Sequence, residues 1–226
     1  PIDLNNDGIQ EFLVGNLGLN NKFHPTSEYP LSAQLADFDS SGTLDLILSK
    51  YFAGVQHPIR GRECLSEQIP EISERFKTYN EFATTPFQEI FSRKVKAEKA
   101  TNFSNGVLIL VNGKYQFQPF DNFGQIGCIN KFIPVEMNGD EYIDFIAFGN
   151  KYEVEIETPR YDANPGLVFI NEKARLTASG GQGKGFKILP LQDFGPFVNK
   201  NAKDAIMIGN SIFISNSGES VDRYQL

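Results

Sequence analysis

Residues 3–16 read DLNNDGIQEFLVGN, an acidic loop that runs directly into a short apolar segment. Oxygen-bearing side chains alternate along the loop, and Glu11 closes it immediately before the apolar residues Phe12–Val14. Short apolar runs that follow Gly- and Asn-rich turns are typical of β-strands. The stretch therefore predicts a strand that is entered through a tight, oxygen-rich turn.

This pattern recurs along the chain. Four segments consist of an acidic residue, an apolar run and a small or polar pair: Glu11–Asn16, Asp45–Lys50, Asp144–Asn150 and Asp204–Asn210. Runs that are apolar throughout predict strands covered on both faces, as in a propeller blade between its neighbours. The third and fourth copies lie about 60 residues apart, a period that fits a four-stranded blade with its loops.

Further strands are predicted between these copies. In the second repeat, Gly106–Val111 and Tyr115–Phe120 flank Asn112-Gly113, the strongest short-range signal for a β-hairpin. The first repeat is shorter than the others. The later repeats contain the predicted strands Gly166–Ile170, Phe186–Leu189 and Ser211–Ser215.

A helical insertion interrupts the repeats over residues 58–100, and subtracting it restores the period between the second and third copies. Apolar side chains recur there at steps of three and four residues: Leu65, Ile69, Ile72, Phe76, Tyr79 and Phe82. Pro70 fits a first helical turn, and Thr85-Pro86 predicts a break before a second helix that ends near Phe91. The insertion is either a helical cap packed on the propeller rim or a functional element, namely a lid or a partner-docking segment.

The fold class is thus predicted as all-β. The architecture is a single β-propeller segment over residues 1–226, with about three to four blades of four-stranded antiparallel sheet. We expect it to be part of a larger propeller, which would close with the rest of that propeller or with another copy of the chain.

The acidic loops have the ligand chemistry of a calcium site. In loop 1 (residues 3–11) and loop 2 (residues 37–45), oxygens come from alternate positions, a glycine stands at the sixth position, and an acid closes the ninth. The predicted ligands are the side chains of Asp3, Asn5, Asp7, Glu11, Asp37, Asp39, Ser41 and Asp45, and the backbone carbonyls of Ile9 and Thr43. The closing acid at position nine indicates a strand–loop–strand variant of the EF-hand chemistry.

Loop 3 (residues 136–144) keeps the spacing with one change. Its predicted ligands are Glu136, Asn138, Asp140 and Asp144, with the carbonyl of Tyr142. Glu141 replaces the turn glycine, which costs on the order of 1 kcal/mol if positive φ is needed there. We expect a weaker or empty site in loop 3, and no metal near Asp193, where the fourth copy has lost the spacing.

Composition limits the function classes. A formal net charge of -7 argues against a nucleic-acid partner, and no apolar run reaches the roughly 20 residues of a membrane span. The chain opens at Pro1 on the edge of a motif, so we expect a fragment of a longer protein whose targeting signal is absent here. Cys64 and Cys128 are two thiols or one disulfide.

Catalytic motifs are weak. The two histidines, His24 and His57, have no metal-binding spacing and no nucleophile beside them. The glycine-rich segment 179–185 lacks the ending of a phosphate-binding loop and predicts a turn. Arg60, Arg62 and Glu63 form either a salt-bridged hinge for the insertion or part of a ligand surface. We expect no catalytic residues and no cofactor other than Ca²⁺.

The chain resembles FG-GAP/VCBS-type calcium-repeat propellers and, more narrowly, bacterial members of the ASPIC/UnbV group related to cartilage acidic protein. The matching segments are Gly15–Asn20, Ala36–Asp39, His57–Glu63, Gly149-Asn150 and Arg160–Asp162. The resemblance implies a propeller of about seven blades on a secreted or envelope-anchored protein. It carries over no catalytic site.

These observations predict a calcium-binding module that acts as a scaffold for a protein or glycan ligand on a propeller face. The expected location is extracellular, periplasmic or anchored to the outer membrane. The alternative is an envelope carbohydrate-active enzyme or its accessory module.

Overall fold

The computed structural model describes residues 1–93, 95–155, 157–172, 185–196 and 198–225. Within these residues the chain is mostly β, with four antiparallel sheets, none of which closes into a barrel. The predicted β class is confirmed at this level. The chain divides into two compact units, one formed by residues 1–22 and 103–226 and the other by residues 23–102. We call them the main unit and the inserted unit.

In chain order, the helices and strands are β1 (Phe12–Val14), β2 (Leu31–Ala36), β3 (Asp45–Phe52), β4 (Val55–Pro58), α1 (Arg62–Gln68), α2 (Glu71–Arg75), α3 (Tyr79–Thr84), α4 (Phe87–Ile90), β5 (Ala97–Ala100), β6 (Gly106–Val111), β7 (Lys114–Pro119), β8 (Lys131–Val135), β9 (Asp144–Phe148), β10 (Leu167–Asn171), β11 (Phe186–Pro190), β12 (Ala202–Ile208), β13 (Ser211–Asn216) and β14 (Asp222–Gln225). The main unit holds three sheets, ordered β1-β6-β7, β11-β10-β9-β8 and β12-β13-β14. The inserted unit holds one sheet, ordered β4-β3-β2-β5.

The middle sheet of the main unit is buried on both faces. Side chains alternate along β9, so Phe145 and Ala147 pack with β6, whereas Ile146 and Phe148 pack with β13. All five residues of β9 are buried. The continuous apolar run of the third repeat therefore has the two-sided cover that its sequence predicts.

Strand β1 completes its sheet with residues far away in the chain. Phe12 pairs with Leu108 and Val14 with Gly106, so the hairpin β6–β7 belongs to the first repeat. Its assignment to the second repeat was wrong. The whole inserted unit, with the second acidic loop and the helices, lies in the chain between β1 and β6. This insertion explains why the first repeat looks short in sequence.

The hairpin turn itself follows its sequence. Asn112 and Gly113 both have positive φ, at 51° and 76°, as the two central residues of a type I′ turn require. The predicted Asn-Gly hairpin is confirmed.

The helices of the inserted unit pack against β3 through Ile47. The predicted apolar stripe is buried at Leu65, Ile69, Ile72, Phe76 and Phe82. Tyr79 is instead 66% exposed, because α2 ends at Arg75 and a new helix, capped by the Thr78 side chain, resets the helical phase.

The helical segment is also shorter than its predicted range of 58–100. Among the described residues of this range, helices lie only between Arg62 and Ile90. Pro58 ends β4, and Ala97–Ala100 form β5, which pairs with β2 at the edge of the sheet. Cys64 and Cys128 are not joined by a disulfide.

The glycine of the Gly-Asn pair after β9 is needed for close packing. A Cβ built on Gly149 would lie 2.5 Å from the Asn130 backbone nitrogen and 2.7 Å from the Cys128 carbonyl oxygen. Gly15, in the equivalent place after β1, would meet the Ile129 carbonyl oxygen at 2.2 Å. Gly15 thus lets the end of β1 approach the segment that enters the neighbouring sheet, and Gly149 lets the end of β9 approach the segment that enters β8 of its own sheet.

We expect Gly149→Ala to lower the free energy of unfolding by about 1–3 kcal/mol, because the backbone must move to admit the methyl group. Urea unfolding followed by circular dichroism measures this loss. Gly61→Ala is the matched control, since a Cβ on Gly61 meets no atom within 4 Å. Equal stability of the two variants would show that the close approach is not needed.

Candidate metal-binding loops

The three acidic loops share one hairpin geometry. In each, the residue before the loop pairs with the acid that closes it, as in Ile2 with Glu11, Ala36 with Asp45, and Val135 with Asp144. Each loop therefore connects two antiparallel extended segments. The strand–loop–strand geometry expected from the closing acid at position nine is present in all three copies.

The closing acid is buried in every loop and is held by the same hydrogen bond. The N–H of the second loop residue donates to its carboxylate, from Leu4 to Glu11 at 2.9 Å, Phe38 to Asp45 at 2.8 Å and Met137 to Asp144 at 2.9 Å. The exposed fractions of the three acids are 3%, 4% and 0%. A buried carboxylate at the same place in three loops is costly unless its charge is compensated.

The interior of each loop is ordered by its own predicted ligands. The side-chain oxygen at position three accepts the N–H of position five, at 3.0, 3.0 and 3.2 Å. The oxygen at position five accepts the N–H of position seven, at 2.8, 3.3 and 3.0 Å. The residues concerned are Asn5, Asp7 and Ile9 in loop 1, Asp39, Ser41 and Thr43 in loop 2, and Asn138, Asp140 and Tyr142 in loop 3.

The backbone turns through two left-handed residues in each loop. In loops 1 and 2 the sixth position is glycine, with φ of 84° at Gly8 and 86° at Gly42. In loop 3 the same position is Glu141, with φ of 70°. The condition set for this glutamate, a positive φ, is thus met, and it costs on the order of 1 kcal/mol relative to glycine.

Loop 3 also differs at its first position. The two carboxylate oxygens of Asp3 accept the N–H groups of positions five and six, at 3.1 and 2.8 Å, and Asp37 does the same at 3.0 and 3.0 Å. Glu136 uses one oxygen for the N–H groups of Asn138 and Gly139 instead. Loops 1 and 2 are therefore close copies, and loop 3 departs at two positions.

Loop 2 brings three carboxylates together. Ligand oxygens of Asp37, Asp39 and Asp45 all lie within 4.8 Å of one another. Calcium–oxygen bonds of about 2.3–2.6 Å allow ligand oxygens to be at most about 5 Å apart, so one ion can contact all three. The Arg93 guanidinium donates to the Asp37 carbonyl oxygen, which helps to fix the start of this loop.

The acids influence one another electrostatically. Burial raises the pKa of Glu11, and the charges of Asp7 and Asp3 raise it further against the hydrogen bond from Leu4. Burial raises the pKa of Asp144 in the same way. In loop 2, hydrogen bonds from Ser41 lower the pKa of Asp39. A cation would remove the repulsion in these loops, and its binding should weaken in acid because the ligands must be ionised.

One buried asparagine that the sequence pattern did not reveal connects loop 3 to loop 1. The Asn171 side chain donates to the Leu4 carbonyl at 2.8 Å and to the Ile143 carbonyl at 3.3 Å. Its backbone N–H donates to the Asp144 carboxylate at 2.8 Å. The only sequence signal is a polar residue at the end of the apolar run 167–170.

The remaining candidates have structural surroundings. Arg62 donates to the carbonyls of Phe76 and Ser73, at 2.6 and 3.4 Å, and pairs with Glu63. These contacts at the end of α2 fit the hinge alternative for the charged cluster. Asp193 lies in a 3₁₀ turn, Leu191–Phe194. Residues 173–184 lie outside the described residues, so the predicted glycine-rich turn is not described.

Comparison of the chain with protein-family models, with curated proteins and with solved structures finds no match in any of the three. No helix among the described residues is long and apolar enough to cross a membrane.

Proposed function

We propose that this chain is a calcium-binding segment of a β-propeller that serves as an extracytoplasmic binding or scaffold module for a protein or glycan. The observation that carries the proposal is the repetition of one loop geometry three times. The same hydrogen bonds recur at the same positions, each around a buried closing acid.

Ordinary turns rich in Asp and Asn do not need this arrangement. A turn can be stabilised by a single side-chain oxygen, whereas loop 2 brings oxygens of Asp37, Asp39 and Asp45 within 4.8 Å of one another. Loop 1 repeats the ligand spacing of loop 2 in its sequence. Such a shell suits a hard cation that takes six to eight oxygens. Bound calcium would stabilise only the folded loop, because the unfolded chain holds no such site.

The sheet packing supports the propeller part of the proposal. Successive sheets of the main unit pack face to face, with one apolar cluster on each side of the middle sheet. A radial array of blades extends this arrangement. Propellers commonly bind partners through the loops at the ends of their blades. In this chain, calcium in the acidic loops would stabilise the fold and would not take part in catalysis.

Calcium titration by isothermal calorimetry tests the metal sites. We expect saturable binding with dissociation constants of about 10⁻⁴–10⁻³ M, as in extracellular modules. The double variant Asp37→Asn with Asp39→Asn should lose the loop 2 site and keep the loop 1 site, because each amide oxygen can still accept its N–H partner while the charge is removed.

Asp193→Asn is the control for this experiment, since Asp193 is exposed and outside the loops. Its titration should match that of the unchanged protein. Heats that do not saturate, or equal binding by the loop 2 double variant, would contradict the assignment of calcium to these loops.

A further inference from the structure

The main unit contains a cavity of about 390 Å³ away from the acidic loops. It lies between the segment 20–22, which follows β1, and the segment 158–163, between β9 and β10, with Ile126 and Gly127 completing its lining. Its volume is within the range of about 300–1,000 Å³ that is usual for small-molecule sites.

The walls of this cavity are fixed by hydrogen bonds. The Leu19 N–H donates to the Gln125 carbonyl at 2.9 Å, and the Asn20 side chain donates to the Ile126 carbonyl at 3.1 Å. On the other side, Lys151 and Tyr161 exchange two backbone hydrogen bonds of 2.8 and 2.9 Å. The cavity is therefore formed before any ligand arrives, which lowers the entropy cost of binding.

An ion pair connects the two walls. Lys22 Nζ lies 3.0 Å from a carboxylate oxygen of Glu155 and donates to the Glu157 carbonyl at 3.1 Å. Its charge is thus already compensated. The other charged side chains of the lining, Arg160 and Asp162, have opposite signs. The cavity offers no excess charge of either sign, which favours an uncharged ligand over an anion or a cation.

The lining is nevertheless rich in hydrogen-bonding groups. The Arg160 guanidinium supplies donors and the Asp162 carboxylate supplies acceptors. The Asn20 and Asn21 amides add their side-chain oxygens as acceptors, since their nitrogens already donate to the Ile126 and Gly18 carbonyls at 3.1 and 2.8 Å. The guanidinium is steadied by the Tyr152 ring, whose centre is 4.9 Å from its central carbon. The half-buried Tyr161 adds an aromatic surface with a polar end.

An uncharged ligand that presents adjacent hydroxyl groups on one side and C–H groups on another meets all these features. We propose that this cavity binds a neutral sugar residue of a glycan. Adjacent hydroxyls act as donor and acceptor at once, so the carboxylate and amide groups can bind them in pairs. The aromatic ring can cover the C–H side. This inference rests on the proposed function, because it names the ligand class of that binding module.

Chemical-shift mapping of the ¹⁵N-labelled protein tests the assignment. The probes are the methyl glycosides of glucose, galactose, mannose and N-acetylglucosamine, added to tens of millimolar, with triglycine as the peptide probe. We expect at least one glycoside to shift the amide signals of residues 18–22 and 158–163 in a saturable way, and triglycine to leave them unchanged. Shifts with triglycine alone, or with none of the probes, would overturn the proposal.

Two variants and one control locate the binding. Asp162→Ala should weaken the glycoside about tenfold, the loss of roughly one charged hydrogen bond. Arg160→Met, which keeps an apolar stem over Tyr152, should weaken it as well. Asp193→Ala, an exposed aspartate away from the cavity, should bind as the unchanged protein does. Unchanged affinity in both cavity variants with intact spectra would overturn the site.

The experiment is run with calcium and again after chelation. The cavity contains none of the predicted calcium ligands, so glycoside shifts and calcium-induced shifts are separate readouts. Glycoside binding without any calcium response would leave the sugar site standing while the calcium part of the proposed function fails. Calcium binding without a glycoside response would do the reverse.

Discussion

We expect calcium to raise the melting temperature of the EGTA-treated protein by several degrees, and magnesium at the same concentration to leave it unchanged. With a dissociation constant of about 10⁻⁴–10⁻³ M, calcium at about 10 mM contributes roughly 1.4–2.7 kcal/mol for each site. Magnesium is smaller, requires a stricter octahedral geometry and keeps its water, so these loops suit it poorly. Differential scanning calorimetry measures both responses.

The two compact units allow the calcium response of loop 1 to be distinguished from that of loop 2. Loop 1 belongs to the main unit and loop 2 to the inserted unit. If the units melt separately, calcium should raise both transitions. The double variant Asp37→Asn with Asp39→Asn should then lose the calcium response of the inserted unit alone. A chelated protein that melts at the same temperature as the calcium-loaded one would refute the sites in both loops.

Replacing Asn105 by alanine should lower the free energy of unfolding by about 3–5 kcal/mol. This fully buried side chain donates to the carbonyls of Gly124 and Gly127, at 2.9 and 3.0 Å, and accepts the N–H of Asn16 at 2.6 Å. Each backbone group left without its partner costs about 1–3 kcal/mol. Urea unfolding at neutral pH gives the value.

One further variant at this position and one control elsewhere separate hydrogen bonding from volume. Asn105→Asp keeps the acceptor for the Asn16 N–H but places a carboxylate against two carbonyls. The free energy of unfolding that this variant loses should therefore be smaller in acid, where the protonated carboxyl group can donate. The exposed Asn80, changed to alanine on α3, should alter stability by less than about 0.5 kcal/mol. A loss below about 1 kcal/mol for Asn105→Ala would mean that water replaces the amide.

Asn164 shows that Asn105 is one case of a repeated device. Its side chain donates to the Cys128 carbonyl at 2.7 Å and accepts the Gly166 N–H at 2.9 Å. Both asparagines lie just before a strand. Asn105 precedes β6, which starts at Gly106, and Asn164 precedes β10, which starts directly after Gly166. This second repeat was not recognised in the sequence, because isolated asparagines in turns are common and carry no spacing signal.

The local predictions succeeded where neighbouring residues decide the structure. The Asn112-Gly113 turn and the strand after each acidic loop both follow from backbone preferences within a few residues. The buried stripe of the insertion follows from helical spacing, and it fails at Tyr79, where a new helix begins and the spacing restarts.

The sequence by itself therefore determined β1, β3, β6, β7 and β9–β13, the Asn112-Gly113 turn and the three oxygen-rich loops, because each depends on contacts between residues close in the chain. Strands β2, β4, β5, β8 and β14 carry no repeat signal and were not predicted. Only the tertiary structure decided that β1 pairs with β6, that Asn171 joins two loops, and that residues 20–22 and 158–163 enclose a cavity. These features join segments separated by tens of residues or more. Strand pairing and cavity shape depend on how whole sheets pack, and no local pattern encodes that choice.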